Sequence, residues 1–318
     1  MTAHKVLGSA AVLALAGCMH GAAPSIPGGT ASATAGARTS PLTELANLNY
    51  SNGQITVFSV SGDKAKKTAA FTPAAQGLAM DAKGRIYTTI TSSSAKPCSA
   101  CVEVFTPTGH LIRRLNAPIL KSASGAPSLT DVSVDQRWNV YVSDYGQQAV
   151  YYFPKGHSKK NPVVVVQNSS NAATVLATPN GSDVVVSGGC GFASVRPYAR
   201  TSKGQYQSGS CFSIGTIALI GGAVDNSIDV MTPVDGALGL VSVSSPSGGN
   251  TFSTPDQQHA EISGAAYNGD ASIAYVADHY CECVYAFGRP SNGWLSGQPT
   301  LLATYSGFKQ LDIIAVPQ

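Results

Sequence analysis

Six of the seven cysteines fall into close or matched positions: Cys98 with Cys101, Cys281 with Cys283, and the more distant Cys190 and Cys211. C-x-x-C and C-x-C spacings suit three chemistries, namely small disulfide loops, a zinc site or a dithiol redox centre. A second group sets an Asn or Asp beside a ring, in Asn49-Tyr50, Asp144-Tyr145 and Asp278-His279. Such pairs can hold a polar ligand, or the Asx residue can cap its own turn by accepting backbone N–H bonds. His259 and Glu261, two residues apart, have the types needed for metal ligation or for an acid and base pair. No nucleophile elbow, phosphate loop or dinucleotide fingerprint is present, because Gly188-Gly189-Cys190-Gly191 and Gly221-Gly222 precede no helical pattern.

The elements that position these residues emerge when the chain is aligned with itself. Tyr141 to Phe153 (YVSDYGQQAVYYF) matches Tyr275 to Phe287 (YVADHYCECVYAF) without a gap, and Ala46 to Phe58 (ANLNYSNGQITVF) fits the same frame. Each is a strand ending in Asn or Asp, a four-residue turn and a second strand closing on Phe, which is a β-hairpin of fixed loop length. A further apolar strand precedes each hairpin, as in Gly77 to Asp81 and Asp131 to Asp135, with weaker versions near Thr174, Thr216 and Ser263 and a last one from Leu311 to Val316. The six starts recur every ~40 to 55 residues, the period of four-stranded propeller blades.

The chain stops at Gln318 with one strand of the sixth blade made. Ala46 to Asn49, Ile55 to Phe58 and Lys66 to Phe71 read as the second, third and fourth strands of a blade that lacks its first. Pairing Leu311–Val316 with them closes the ring and removes two exposed sheet edges. The expected fold is therefore all-β, a six-bladed propeller over residues 44 to 318 with about 46 residues per blade.

With (Leu/Val)-x-x-Asp, Gly, Tyr-Val-x-Asp and Val-x-x-Phe elements, the chain resembles the NHL/YVTN-type propellers that bacteria secrete. The resemblance covers 44 to 318, although the third and fourth blades lack Tyr-Val-x-Asp. It implies a fold and leaves function open, since the ring hosts hydrolases, lyases and binding modules. Propeller ligands usually bind around the channel on the face of the second-to-third strand loops. That face receives Asn49, Tyr50, Asp144, Tyr145, Asp278 and His279, and His259 and Glu261 enter blade five from it. Streptogramin lyases look similar overall and use His and Glu near the channel, but their His-x-Ile element begins where this chain has Gly264. Calcium-dependent lactonases need converging Glu, Asn and Asp. The inner-strand starts here, Gln76, Asp131, Thr174, Thr216, Ser263 and Gln310, hold one carboxylate, too few for six to eight calcium oxygens.

The same frame sorts the cysteines. Cys98 and Cys101 share a second-to-third strand loop of blade one, Cys281 and Cys283 that of blade five, and blade six separates the pairs by more than the ~7 Å a bridge tolerates. Each pair is expected to close on itself. Cys190 in the matching loop of blade three and Cys211 in the connection to blade four share one face and form the third expected bridge. Trp138 and Trp294 map to the opposite face, as covers for blade ends or as a partner patch.

Outside the ring, His4 and Lys5 precede an apolar run from Val6 to Ala16, too short for the ~20 residues of a spanning helix and suited to a signal peptide. Leu15-Ala16-Gly17-Cys18 resembles the bacterial lipobox, which implies removal of residues 1 to 17 and lipidation of Cys18. Met19, in place of Asp, implies an outer-membrane or cell-surface destination. Residues 18 to 43 are rich in Gly, Ala, Ser, Thr and Pro and read as a flexible tether.

Only 12% of residues are charged, net charge is +3, and no contiguous Lys/Arg run is longer than Lys159-Lys160, so nucleic acid is not expected as a partner. A hydrophobic content of 43% excludes disorder. The expectation is a monomeric, lipid-anchored, non-catalytic scaffold without cofactor or metal that binds a protein, peptide or glycan at the cell envelope. The alternative is a metal-dependent hydrolase or lyase acting in the channel.

Overall fold

The computed structural model describes residues 44–49, 51–61, 64–91, 98, 100–121, 123, 125–156, 162–167, 172–187, 190, 193–214, 222–233, 240–253, 262–268, 273–279, 283–288, 301–305 and 313–317. Contacts divide the chain into a unit ending at Arg38, with no described residue, and a unit from Thr39 to Gln318. Cys18 and the residues assigned to signal peptide and tether lie outside the described residues.

The second unit begins with strands β1 (Glu44–Asn49), β2 (Gln54–Ser61) and β3 (Lys64–Phe71). Blade one is β4 (Ala75–Met80), β5 (Ile86–Ile90), β6 (Cys101–Phe105) and β7 (Leu111–Asn116). Blade two is β8 (Leu129–Val134), β9 (Val140–Asp144), β10 (Ala149–Phe153) and β11 (Val163–Gln167). Blade three is β12 (Val175–Ala177), β13 (Asp183–Ser187), β14 (Ser194–Arg200) and β15 (Tyr206–Ser208), with β16 (Phe212–Ser213) added to β14. Blade four is β17 (Ala223–Val224), β18 (Val230–Pro233), β19 (Leu240–Ser245) and β20 (Gly248–Ser253). Blade five is β21 (Ile262–Tyr267), β22 (Ile273–Asp278), β23 (Cys283–Gly288) and β24 (Leu301–Tyr305). Strand β25 (Ile313–Ala315) completes blade six, in the order β25-β1-β2-β3.

These antiparallel sheets form the six-bladed propeller expected from the repeat. Ring closure is direct, because β25 pairs with β1 through Ala46 opposite Ala315 and Leu48 opposite Ile313. The three aligned hairpins share one register, with Asn49 opposite Gln54, Asp144 opposite Ala149 and Asp278 opposite Cys283. In blade four the described inner strand is Ala223–Val224, and Thr216 falls outside the described residues. Blade three carries a fifth strand, where Ser194 pairs with Ser213 as the chain leaves the blade.

The middle strands of blades one and two are buried along their whole length, as in VYVSD and AVYYF, because a blade is covered on both faces by its neighbours. Alternation survives as a choice of neighbour. Val140 and Val142 join the core shared with blade one, whereas Tyr141, Val150 and Tyr152 join the core shared with blade three. The outermost strand of blade one, LIRRLN, faces solvent along much of its length.

The (Leu/Val)-x-x-Asp element works at the first-to-second strand turns. Asp81 Oδ1 accepts bonds from the N–H groups of Lys83 (2.9 Å) and Arg85 (3.0 Å), while Oδ2 takes Arg85 Nε (2.6 Å) and the Tyr87 hydroxyl (2.9 Å). Asp135 repeats this with Arg137 N (2.8 Å), Asn139 N (2.9 Å), Asn139 Nδ2 (2.6 Å) and Tyr141 OH (3.3 Å). Asp225 caps the blade-four turn the same way, through Ser227 N and Asp229 N at 2.8 Å each. A buried carboxylate supplied with so many donors is a turn former rather than an acid for catalysis. Inner strands touch closely: a Cβ on Gly77 would lie 2.7 Å from Asp131 Cα, so no larger residue fits there.

Candidate functional site

Antiparallel order places the second-to-third strand loops and the connections between blades on one face. On this face Asp144 is fully buried and serves its own hairpin. Its Oδ1 accepts bonds from Ser128 N (2.8 Å) and Gln147 N (3.0 Å), and Oδ2 from Gln147 Nε2 (2.9 Å) and Tyr151 OH (3.4 Å). Asn49 likewise accepts from the N–H (3.0 Å) and hydroxyl (2.7 Å) of Ser51. Asp278 is fully buried as well. Asn49 and Asp144 thus spend side-chain oxygens at the foot of their own hairpins, and all three Asx residues are buried.

The ring beside Asp144 behaves differently, since Tyr145 is 50% exposed at the tip of the β9–β10 hairpin. Ile119, 81% exposed, lies in the connection from blade one to blade two. Gln147 ties the two loops together: its Nε2 donates to Pro118 O (2.7 Å) and its Oε1 accepts from Leu120 N (2.6 Å), the residues on either side of Ile119. Because Gln147 is itself buried and held by Asp144, the exposed pair rests on a cross-braced base. Sequence reasoning named Tyr145 and missed Ile119, whose one signal is an Ile-Leu pair inside an interblade connection. His279 is partly buried at the blade-five tip, and Tyr50, His259 and Glu261 lie outside the described residues.

The channel is lined by inner strands of all six blades, including Leu78, Asp131, Ser133, Ala177, Ala266 and Ala315. Asp131 is the one carboxylate among its described lining residues. Its Oδ2 accepts from Val175 N (3.1 Å) of blade three and its Oδ1 from Val132 N (2.9 Å). Ser133 Oγ accepts from Ala177 N (2.9 Å), so two side chains of β8 stitch it to β12. Burial pushes the Asp131 pKa up to about 7, with the bonds from Val175 and Val132 pulling it down. The cavity measures about 70 Å³. That admits a few waters, at ~30 Å³ each, but falls well short of the ~300 Å³ of small-molecule sites.

Cys98 and Cys101 are bridged with Cα atoms 6.0 Å apart, as are Cys190 and Cys211 at the same separation. Cys283 is also disulfide-bonded, while Cys281 lies outside the described residues. Cys98, Cys101 and Glu103 form the one cluster of potential metal ligands among the described residues. Oxidised sulfurs are poor ligands and Glu103 accepts a bond from Arg114 Nε (2.9 Å), so the cluster does not fit a metal. On the opposite face Trp138 packs beneath Lys83, 4.3 Å from its ring centroid, and Arg85 at 5.7 Å, which makes it a cover over the join of blades one and two. Trp294 lies outside the described residues.

No protein-family model and no curated protein matches the chain. Similar solved structures exist. A chain of a nidogen/laminin complex is 14% identical with a TM-score of 0.54, over 86% of this chain and 98% of that one. A functionally unknown protein from Desulfotomaculum acetoxidans is 10% identical with a TM-score of 0.50, over 87% and 89%. A putative 6-phosphogluconolactonase from Bacteroides fragilis is 10% identical with a TM-score of 0.49, over 88% and 99%. The six closed blades, together with the likeness to the nidogen/laminin and Desulfotomaculum acetoxidans chains, place the chain in the structural class of β-propellers.

Proposed function

We propose that this chain is a non-catalytic scaffold of the NHL/YVTN kind, held at the outside of the cell envelope by a lipid on Cys18. It grips a protein, peptide or glycan on the face of the second-to-third strand loops. The observation that carries the reading is the exposed pair Tyr145 and Ile119 on a rigid, cross-braced base. An aromatic ring fixed in place costs little entropy to immobilise on binding, which is why such residues dominate binding energy at interfaces. The fold also occurs within a nidogen/laminin complex. The Leu15-Ala16-Gly17-Cys18 motif supports the anchor, and the disulfides suit an oxidising compartment outside the cytoplasm. The size of the channel weighs against a reaction carried out inside it.

The test is binding of the purified protein to peptide and glycan arrays, with Tyr145→Ala/Ile119→Ser as the variant. A specific ligand should lose at least tenfold in affinity with the variant, whose fold is checked by its melting. Undiminished binding would show that the contact lies elsewhere. For the anchor, mass spectrometry of the protein from cells should find acyl groups on Cys18, and an unmodified Cys18 would refute it.

A further inference from the structure

On the face opposite Tyr145, an open cleft of about 380 Å³ lies between blades two and three. Three turns build it: the β8–β9 turn supplies Arg137, the β12–β13 turn Asn180 and Ser182, and the β14–β15 turn Thr201 and Gly204, with Arg200 at the end of β14. No Asp or Glu is among its lining residues. Neither Arg137 nor Arg200 is in an ion pair among the described residues, whereas Arg85 and Arg114 both are.

The frame is rigid where it matters. Arg200 lies 4.9 Å over the ring of Tyr152, whose hydroxyl donates to Asn139 Oδ1 (3.1 Å), so its guanidinium is held in place by stacking. Its backbone N–H donates to Ser182 O (2.8 Å), which ties β14 to the β12–β13 turn. Gln136 N donates to Pro179 O (2.9 Å) and Asn180 N to Asn226 Oδ1 (2.9 Å), linking the turns of blades two, three and four in a chain. Two carboxylates border the cleft: Asp183, which accepts from Ser182 Oγ (2.5 Å), and buried Asp135, which lies against Gly181, where a Cβ would collide with Oδ2. Four donors already occupy Asp135, so its charge is spent inside the turn. The Asn180 side-chain oxygen accepts from Thr178 Oγ1 (3.0 Å) and Ser182 N (2.8 Å), which fixes the amide and leaves its NH2 as a further donor.

The geometry points to a binding site for an oxyanion, a carboxylate, sulfate or phosphate, carried on a body of about the size of a sugar. Two guanidiniums facing one cleft offer forked donors that match the paired oxygens of such groups. The volume falls in the range of small-molecule sites, with room for more than the bare ion. This site is separate from the Tyr145 face and stands or falls independently of it.

The experiment is titration of the purified protein with sodium phosphate, sodium sulfate and sodium glucuronate at constant ionic strength, followed by calorimetry and by amide shifts of Gly181 and Gly204. Methyl glucoside serves as the neutral control. At least one anion should bind saturably and shift both glycines. Arg137→Gln, on an exposed side chain, should weaken it about tenfold or more, the effect of removing one charged hydrogen-bond partner. Arg200→Lys, which keeps charge but loses the fork, should weaken it several-fold, and Lys121→Gln, exposed on the opposite face, should leave it unchanged. Tighter binding of glucuronate than of inorganic anions assigns the site to a sugar acid, and the reverse order to a free or terminal phosphate or sulfate. Absence of saturable binding by all three anions, or equal affinity of Arg137→Gln and the parent, overturns the proposal.

Discussion

Raising the pH from 4 to 8 weakens this fold through Asp131, and replacing that residue by Asn removes the effect. The carboxyl sits at the channel wall with its pKa raised from 3.8 to about 7 by burial. The folded protein therefore holds the proton more tightly than the unfolded chain does. Stability from this group is fully present below pH ~4 and is lost as pH climbs toward ~7, when the folded state must carry a poorly hydrated charge. The full shift corresponds to about 4 kcal/mol at ~1.4 kcal/mol per tenfold change in proton affinity. Asp131 is only half-buried at the channel wall, so solvent screening reduces that, and a loss of about 2–4 kcal/mol is expected. The assay is urea unfolding at half-unit intervals of pH for the parent and for Asp131→Asn. Glu44, Asp135 and Asp229 also have raised pKa values from burial, and they remain in the variant, so the difference curve isolates Asp131. The variant should be less stable than the parent at pH 4, where it loses an acceptor for Val132 or Val175, and should gain on it as pH rises. A difference constant to within ~0.5 kcal/mol between pH 4 and 8, or one of opposite slope, refutes the reasoning.

Two further outcomes test the frame. Deleting residues 311 to 318 removes β25 and with it Ile314 and Val316, which are 3% and 1% exposed. At ~1.5–3 kcal/mol for each buried aliphatic, the melting temperature should fall by about 10 °C or more, and an unchanged melt would mean that the ring does not depend on closure. Asp144→Ala leaves the donors of Ser128, Gln147 and Tyr151 without their acceptor and should cost about 3–5 kcal/mol in urea unfolding, with Asp144→Asn milder. A cost below ~1 kcal/mol would return Asp144 to the list of residues kept for a ligand.

The hairpins, the register within them and the pairing of the two chain ends were readable from residue order alone. A blade is a local object: strand, turn and strand lie within about fifteen residues, and hydrogen-bond periodicity writes itself into that span. The pairing of Cys190 with Cys211 followed, because blade position already placed them on one face. Where the repeat decays, less is legible: the added strand β16 of blade three is two residues long, and a two-residue strand leaves too little pattern to locate.

What the tertiary structure alone decided is which side chains remain available for a partner. Asp144 and Tyr145 are neighbours in sequence, yet burial hides the carboxylate inside its turn and leaves the ring in solvent. Arg137 and Arg200 belong to different blades and share a cleft only because the ring sets blade two against blade three. Local hydrogen bonding is encoded in short stretches of sequence, but exposure and convergence depend on packing between segments far apart in the chain, and no local pattern records that.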